Sequence, residues 1–280
     1  MSPDAIPDSA VQADSFACDC PGTRNWFSFG GAVGAAEAGD GKPTLFIIGD
    51  STVKNSTKGL QGWGTPIASL FDAEKIKVEN DALGGRSSRT FRTEGFWDKV
   101  LAKMKPGDFV LMQFGHNDGG GLARSARASL KGNGEETQEV KDEKTGKKEV
   151  VHTYGWYMRQ YVAEAKAKGV TAIVLSPIPR NMWKEGRVLR ASNDYGKWAA
   201  EAAKAEGAAF VDLNEIVAKK YEALGEEKVK VEYFLEDHTH TTPAGAMVNA
   251  RAVVEGVEGV KGCALSGAIK PEAGQRVQPK

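Results

Sequence analysis

Cysteine and histidine are scarce in this chain, with three of the first and four of the second among 280 residues. Cys18, Cys20 and Cys263 make neither a disulfide framework nor a zinc site, and leave room for one pair with a thiol over. Net charge is missing too, because 37 Lys and Arg are matched by 37 Asp and Glu. That balance excludes a global attraction to nucleic acid or to an anionic membrane and leaves only local patches. Long apolar runs are absent. The longest aliphatic stretches, Leu45–Ile48 and Ala172–Leu175, are strand-sized and too short to span a bilayer. The opening Met-Ser-Pro-Asp-Ala-Ile-Pro-Asp has neither the basic start nor the apolar stretch of a secretory leader.

What is present is a globular composition, 41% hydrophobic and 26% charged, in a length that suits one large domain. Residues 1–42, rich in Gly, Ala, Asp and Pro, read as an irregular arm or the remnant of a preceding module. The main domain is expected over 43–262, with a tail over 263–280. Short apolar runs at Leu45–Ile48, Ile76–Glu79, Phe109–Phe114, Thr171–Leu175 and Ala208–Val211 predict five buried strands. Helical patterns lie between them. One puts Tyr154, Tyr157, Met158, Tyr161, Val162 and Ala165 on a single face, and another runs from about Asn193 to Ala205. A third starts at Thr242-Pro243, a capping residue followed by proline at the first helical position, with Met247, Ala250, Val254 and Val257 on one stripe.

Strands alternating with helices imply parallel crossovers, hence an α/β fold: a five-stranded parallel sheet in the flavodoxin-like doubly wound order, with helices on both faces. Ligands of such sheets bind beyond the carboxyl ends of the strands. One segment breaks the rhythm. Gly119–Val150 carries Lys-Gly-Asn-Gly-Glu-Glu and Lys-Asp-Glu-Lys-Thr-Gly-Lys-Lys-Glu, with almost nothing to bury, and reads as a solvated charged insertion.

Four polar segments fall at the same expected end of the sheet. Gly49-Asp50-Ser51-Thr52 follows the first strand and Asn80-Asp81-Ala82-Leu83-Gly84-Gly85-Arg86-Ser87-Ser88-Arg89 the second. Phe114-Gly115-His116-Asn117-Asp118 follows the third, and Asp237-His238-Thr239-His240 precedes the Thr242-Pro243 helix start. A serine hydroxyl becomes nucleophilic when a base takes its proton, and that base needs an acid to fix its tautomer. Asp237 and His240, three apart at a helix entrance, can lie side by side and serve Ser51 in this way. The backbone N–H groups of Ser51 and Gly85, with the Asn117 amide, are donors of the kind an oxyanion needs. Each piece alone is an ordinary turn, cap or solvated histidine; four in order at one sheet end are a site.

The set resembles the SGNH (GDSL-type) hydrolase superfamily, whose blocks supply Ser, Gly, Asn and His in that order. Gly-Asp-Ser-Thr-Val, Gly-Gly-Arg-Ser-Ser-Arg-Thr-Phe, Gln-Phe-Gly-His-Asn-Asp and Asp-His-Thr-His-Thr are similar to blocks of the rhamnogalacturonan acetylesterases, carbohydrate esterase family 12. The resemblance spans about Thr44 to Glu258. It implies a three-layer α/β/α fold and a metal-free, cofactor-free serine esterase that removes acetyl groups from a pectic polysaccharide. In it Ser51 is the nucleophile, His240 the base and acid, Asp237 its orienting carboxylate, and Ser51, Gly85 and Asn117 the oxyanion hole. A polysaccharide substrate implies a secreted or periplasmic protein; the oligomeric state stays open.

Neighbouring residues carry two readings each. Asp50 either polarises the site or caps its turn. His116 and His238 suit supporting hydrogen bonds better than catalysis. Arg86, Arg89 and Arg92 match galacturonate carboxylates, or else pair within the protein. Trp156 and Trp183 are candidate sugar-stacking faces, whereas helical phase places Tyr157 in the core. Three rivals remain: a lipase or thioesterase of the same superfamily, a sugar-binding protein on a retired hydrolase scaffold, and a two-metal phosphoesterase using His, Asp and Asn.

Overall fold

The computed structural model describes residues 41–190, 194–235 and 237–273. Cys18, Cys20 and the arm over 1–42, except Gly41 and Lys42, lie outside them. Along the chain come β1 (Thr44–Gly49), β2 (Lys77–Asn80) and β3 (Phe109–Gln113), then a hairpin of β4 (Thr137–Lys141) and β5 (Lys148–His152). After these lie β6 (Thr171–Leu175), a small hairpin of β7 (Trp183–Lys184) and β8 (Arg187–Val188), and β9 (Ala209–Val211). The helices are α1 (Ser88–Thr93), α2 (Phe96–Lys103), α3 (Tyr154–Ala167), α4 (Tyr195–Ala205), α5 (Leu213–Leu224), α6 (Glu226–Lys228) and α7 (Pro243–Glu258).

Five strands form one sheet in the order β2-β1-β3-β6-β9. Every pairing within it is parallel, in registers such as Ile47↔Leu111 and Leu111↔Ile173. Renumbered by sheet strands alone, this is the doubly wound order 2-1-3-4-5 expected from the alternation of elements. Because strand side chains alternate, Leu45, Ile47, Leu111, Ile173 and Leu175 enter one core with α5 and α7. Phe46, Ile48, Val110, Met112 and Val174 enter the other, beneath α1 to α4. β1 and β3 are buried throughout, so their sequences read as continuous apolar runs.

The helix starts follow local chemistry. Thr153 accepts from the Trp156 N–H and sets α3 in the phase that buries Tyr154, Tyr157, Met158, Tyr161, Val162 and Ala165. Thr242 caps α7, with Pro243 at its first position. The α7 stripe is broader than its apolar spacing indicates: Asn249 and Gly256 are buried with it, and Met247 is only half-buried. The tail contributes to the core as well, since Leu265, Ala268, Ile269 and Ala273 are buried.

The charged segment is more ordered than a solvated insertion. Its β4–β5 ladder buries Val140 and Val151, and its preceding turn buries Ala128 and Ser129. Asp142 Oδ1 nucleates the hairpin turn by accepting from the N–H groups of Lys144 and Thr145. Arg89 of α1 anchors the hairpin. Its guanidinium is bidentate to Glu149 at 2.9 Å for both bonds and donates to the Ala128 carbonyl at 2.7 Å. The Arg89 side chain is 3% exposed, so taking it away leaves the half-buried Glu149 carboxylate and the buried Ala128 carbonyl without this donor. Arg89→Met is expected to destabilise the protein by about 2–4 kcal/mol, read from the midpoint of denaturant unfolding. Glu149→Gln, which keeps an acceptor opposite Arg89, should cost less.

Candidate active site

Ser51 sits on the turn that leaves β1. Gly49 is required there: a Cβ would lie 2.4 Å from Val53 Cγ2 and 2.6 Å from the Gln113 carbonyl. Asp50 is fully buried, and its Oδ1 accepts from the Thr52 N–H at 2.8 Å and the Thr52 hydroxyl at 2.7 Å. Gln113, at the end of β3, donates to Thr52 Oγ1 at 2.6 Å and accepts from the Trp63 indole at 2.9 Å. This buried chain of hydrogen bonds fixes the turn that presents Ser51. Asp50 therefore caps the turn, while its Oδ2 is buried without a partner. Trp63 was not singled out from the sequence, and Thr52 and Gln113 stood in the motif segments without an assigned role. The available signal was a glutamine closing the otherwise apolar run of β3.

The other end of the chain meets this turn. Ser51 Oγ lies 2.8 Å from His240 Nε2, across 189 positions of sequence. His240 Nδ1 lies 2.7 Å from Asp237 Oδ2. The second oxygen of Asp237 accepts from the N–H groups of Thr239 at 2.6 Å and His240 at 2.7 Å. Partial burial acts to raise the Asp237 pKa but is outweighed by the His240 ring and these two amides, which hold the carboxyl below its usual range. Thr241 ties the loop to the Ser51 side, exchanging bonds with the backbone of Gln61.

The second and third segments close over Ser51. A Cβ on Gly84 would stand 3.6 Å from Ser51 Cβ, and Gly85 follows at φ +77°, where a side chain would be strained. The Asn117 amide donates to the Arg86 carbonyl at 2.9 Å, binding the two segments together with one N–H to spare. Gly115 (φ +140°) allows the bend after β3, because a Cβ would meet Pro177 at 2.7 Å. Asp118 underlies both segments. It accepts from the Ser88 N–H at 3.1 Å, from the Ser88 hydroxyl, and from the Ser129 hydroxyl at 3.1 Å. Burial raises its pKa to about 7 against the pull of those donors.

The remaining expected residues divide. His116 is brought in: its Nε2 is buried without a partner, burial lowers its pKa, and Asp50, Arg180 and His240 all act on its charge. His238 is exposed, with Nε2 3.2 Å from Arg180 Nη1, and Arg180 also donates to Thr239 Oγ1 at 2.6 Å. Trp183 is half-buried and donates to Asn181, whose own N–H binds the His238 carbonyl, so it flanks the histidine loop. Trp156 instead stacks on His152 at 3.7 Å, and its contacts join no residue of the Ser51 cluster. The three candidate arginines pair within the protein: Arg86 with Glu94, Arg89 with Glu149 and Arg92 with Glu164. Among the described residues, no group of three or more His, Cys, Asp or Glu could hold a metal ion, and no helix is long and apolar enough to cross a membrane.

A hydroxyl, an imidazole and a carboxylate in line beside backbone and amide donors can carry out acyl transfer. The chain belongs to the GDSL-like lipase/acylhydrolase family, whose model matches residues 47–248, and is by class a carboxylic ester hydrolase. Its sequence is 34% identical to the rhamnogalacturonan acetylesterase of Emericella nidulans, over 76% of this chain and 84% of that one. It is 30% identical to a probable rhamnogalacturonan acetylesterase of Bacillus subtilis, over 76% of this chain and 92% of the relative. Among solved structures, the YxiM protein of B. subtilis superposes with a TM-score of 0.64 at 26% identity. That match covers 79% of this chain and 58% of YxiM, so this chain spans little more than half of that protein.

The raised Asp118 pKa has a consequence for stability. Between the ordinary aspartate value of 3.8 and about 7 the folded protein binds more protons than the unfolded chain, so this group's contribution declines as pH rises through that window. Asp118→Asn is expected to flatten the change in unfolding free energy between pH 4.5 and 7.5, measured by denaturant titration at several pH values.

Proposed function

We propose that this protein is a serine esterase that removes O-acetyl groups from rhamnogalacturonan through an acetyl-enzyme. The observation that carries the reading is the unbroken line Ser51–His240–Asp237 beside the Gly85 and Asn117 arm. The acetylesterase names of the relatives supply the substrate class. Ser51 Oγ attacks the acetyl carbonyl carbon as His240 Nε2 takes its proton. The tetrahedral oxygen receives hydrogen bonds from the Ser51 and Gly85 N–H groups and from the free amide hydrogen of Asn117. His240 returns the proton to the departing sugar oxygen as the ester C–O bond breaks. A water deprotonated by His240 then attacks the acetyl-serine, releasing acetate and restoring the Ser51 hydroxyl. Throughout, Asp237 holds the ring in one tautomer and stabilises its cationic form.

The working unit on this reading is the domain over 43–262 with its hairpin, completed by the tail residues Leu265, Ala268, Ile269 and Ala273 that pack into its core, and a polymer substrate implies a secreted or periplasmic protein. Ser51→Ala and His240→Ala are each expected to abolish acetate release from acetylated rhamnogalacturonan while the protein stays folded; appreciable turnover in either would remove the assigned role. Asn117→Ala should slow turnover about 10²–10³-fold. Asp237→Asn should cost about 10³–10⁴-fold in kcat by misorienting the imidazole. Acetate release from xylan but not from pectic polymer by the wild-type enzyme would redirect the substrate assignment.

A further inference from the structure

Nearly every arginine among the described residues is committed within the protein. Arg86, Arg89 and Arg92 are held by glutamates, as are Arg159, Arg187 and Arg190, while exposed Arg124 lies 3.8 Å from Glu143. Arg251 donates to the carbonyls of Glu272 and Ala273. Two depart from this pattern, one hydrogen-bonded to Asn117 and the other to the loop that carries His240. Arg127, from the turn before the hairpin, is exposed and donates from Nη1 to Asn117 Oδ1 at 3.1 Å. That same Nη1 lies 4.0 Å from where a Cβ of Gly85 would stand. Arg180, from the loop after β6, is half-buried and engages Thr239 and His238 through Nη1 alone. Neither guanidinium is in an ion pair with a carboxylate of the described residues.

We infer that Arg127 and Arg180 are the groups that read uronate carboxylates of the substrate, one on the Gly85–Asn117 side of Ser51 and the other on the His240 side. This rests on the acetylesterase reading above and names the feature of the polymer that the site selects. The physical case has three parts. In a chain of zero formal charge no overall field draws an anionic polymer in, so selection must come from local cations. A guanidinium presents a planar fork that matches a carboxylate, and Nε and Nη2 of Arg180 have no hydrogen-bond partner among the described residues. Each arginine is also positioned by a hydrogen bond to a residue of the catalytic segments, so a bound uronate is registered against the nucleophile. The arginines closest to the family motif do not serve this purpose, because glutamates already occupy their forks.

The test uses oligogalacturonate as an inhibitor of aryl acetate hydrolysis by the full-length enzyme, beside the same oligosaccharide with its carboxyls reduced to alcohols. Wild type should be inhibited by the charged form in preference to the reduced form, and the difference should shrink as salt is raised. Arg127→Gln and Arg180→Gln should each weaken inhibition by the charged form about threefold or more, and the double variant should abolish the preference. Arg127→Lys and Arg180→Lys should recover part of it, which guards against a change in folding as the cause. Equal inhibition constants in wild type and both glutamine variants, or equal inhibition by charged and reduced oligosaccharides, would overturn the assignment. So would a loss confined to kcat on the aryl ester, which would mark the arginines as electrostatic support for the oxyanion instead. Failure to release acetate from rhamnogalacturonan, with arginine-dependent inhibition intact, would sink the polymer assignment and uphold this one.

Discussion

A hydrogen bond of 2.8 Å between Ser51 and His240 joins two turns that are 189 residues apart. Each turn is held by hydrogen bonds of its own. On the Ser51 side they come from Asp50, Thr52, Gln113 and Trp63, four buried polar groups linked in series. A buried polar chain of this kind is costly if broken and tightly specifying when complete. On the His240 side Asp237 both receives the imidazole and accepts two backbone amides of its own loop. The carboxylate bound to the imidazole also folds the segment that carries that ring.

The charged groups serve two different ends. Arg89, Arg92 and their glutamates fasten the β4–β5 hairpin and α3 to α1, so what looks like a polar insertion is part of the wall behind the third segment. Asp118 continues that wall inward through Ser88 and Ser129. Arg127 and Arg180, by contrast, are hydrogen-bonded to Asn117 and Thr239 and have no carboxylate partner among the described residues. A guanidinium paired within the protein stabilises structure, whereas one oriented but unpaired is available to a ligand.

The sheet was legible because its signals are local. Leu45–Ile48 and Thr171–Leu175 are short apolar runs ended by turn residues, and parallel strands buried on both faces have that composition. The stripe of α3 and the Thr242-Pro243 start of α7 are equally local. α1 and α2 escaped notice because Gly95, at φ +74°, interrupts them before either completes a clear apolar period. α5 did carry a stripe of Leu213, Val217 and Tyr221 behind the cap Asp212, and its short connection to β9 hid it. The hairpin was read as solvated because only Val140 and Val151 of its two strands are fully buried, and the Arg89–Glu149 pair that fastens it spans 60 residues.

By itself the sequence determined the strand and helix alternation, and with it the sheet end at which Ser51, Gly85, Asn117 and His240 gather. It also contained every member of the Ser51–His240–Asp237 line, since residue type and chain order are properties of the sequence. Tertiary structure decided which arginines are paired. Arg86 and Arg89 lie in the motif and Arg92 follows it, yet Glu94, Glu149 and Glu164 claim them, while Arg127 and Arg180 come from segments with no motif at all. Ion pairing depends on distance in space, and no spacing along the chain records which acid will arrive beside which base.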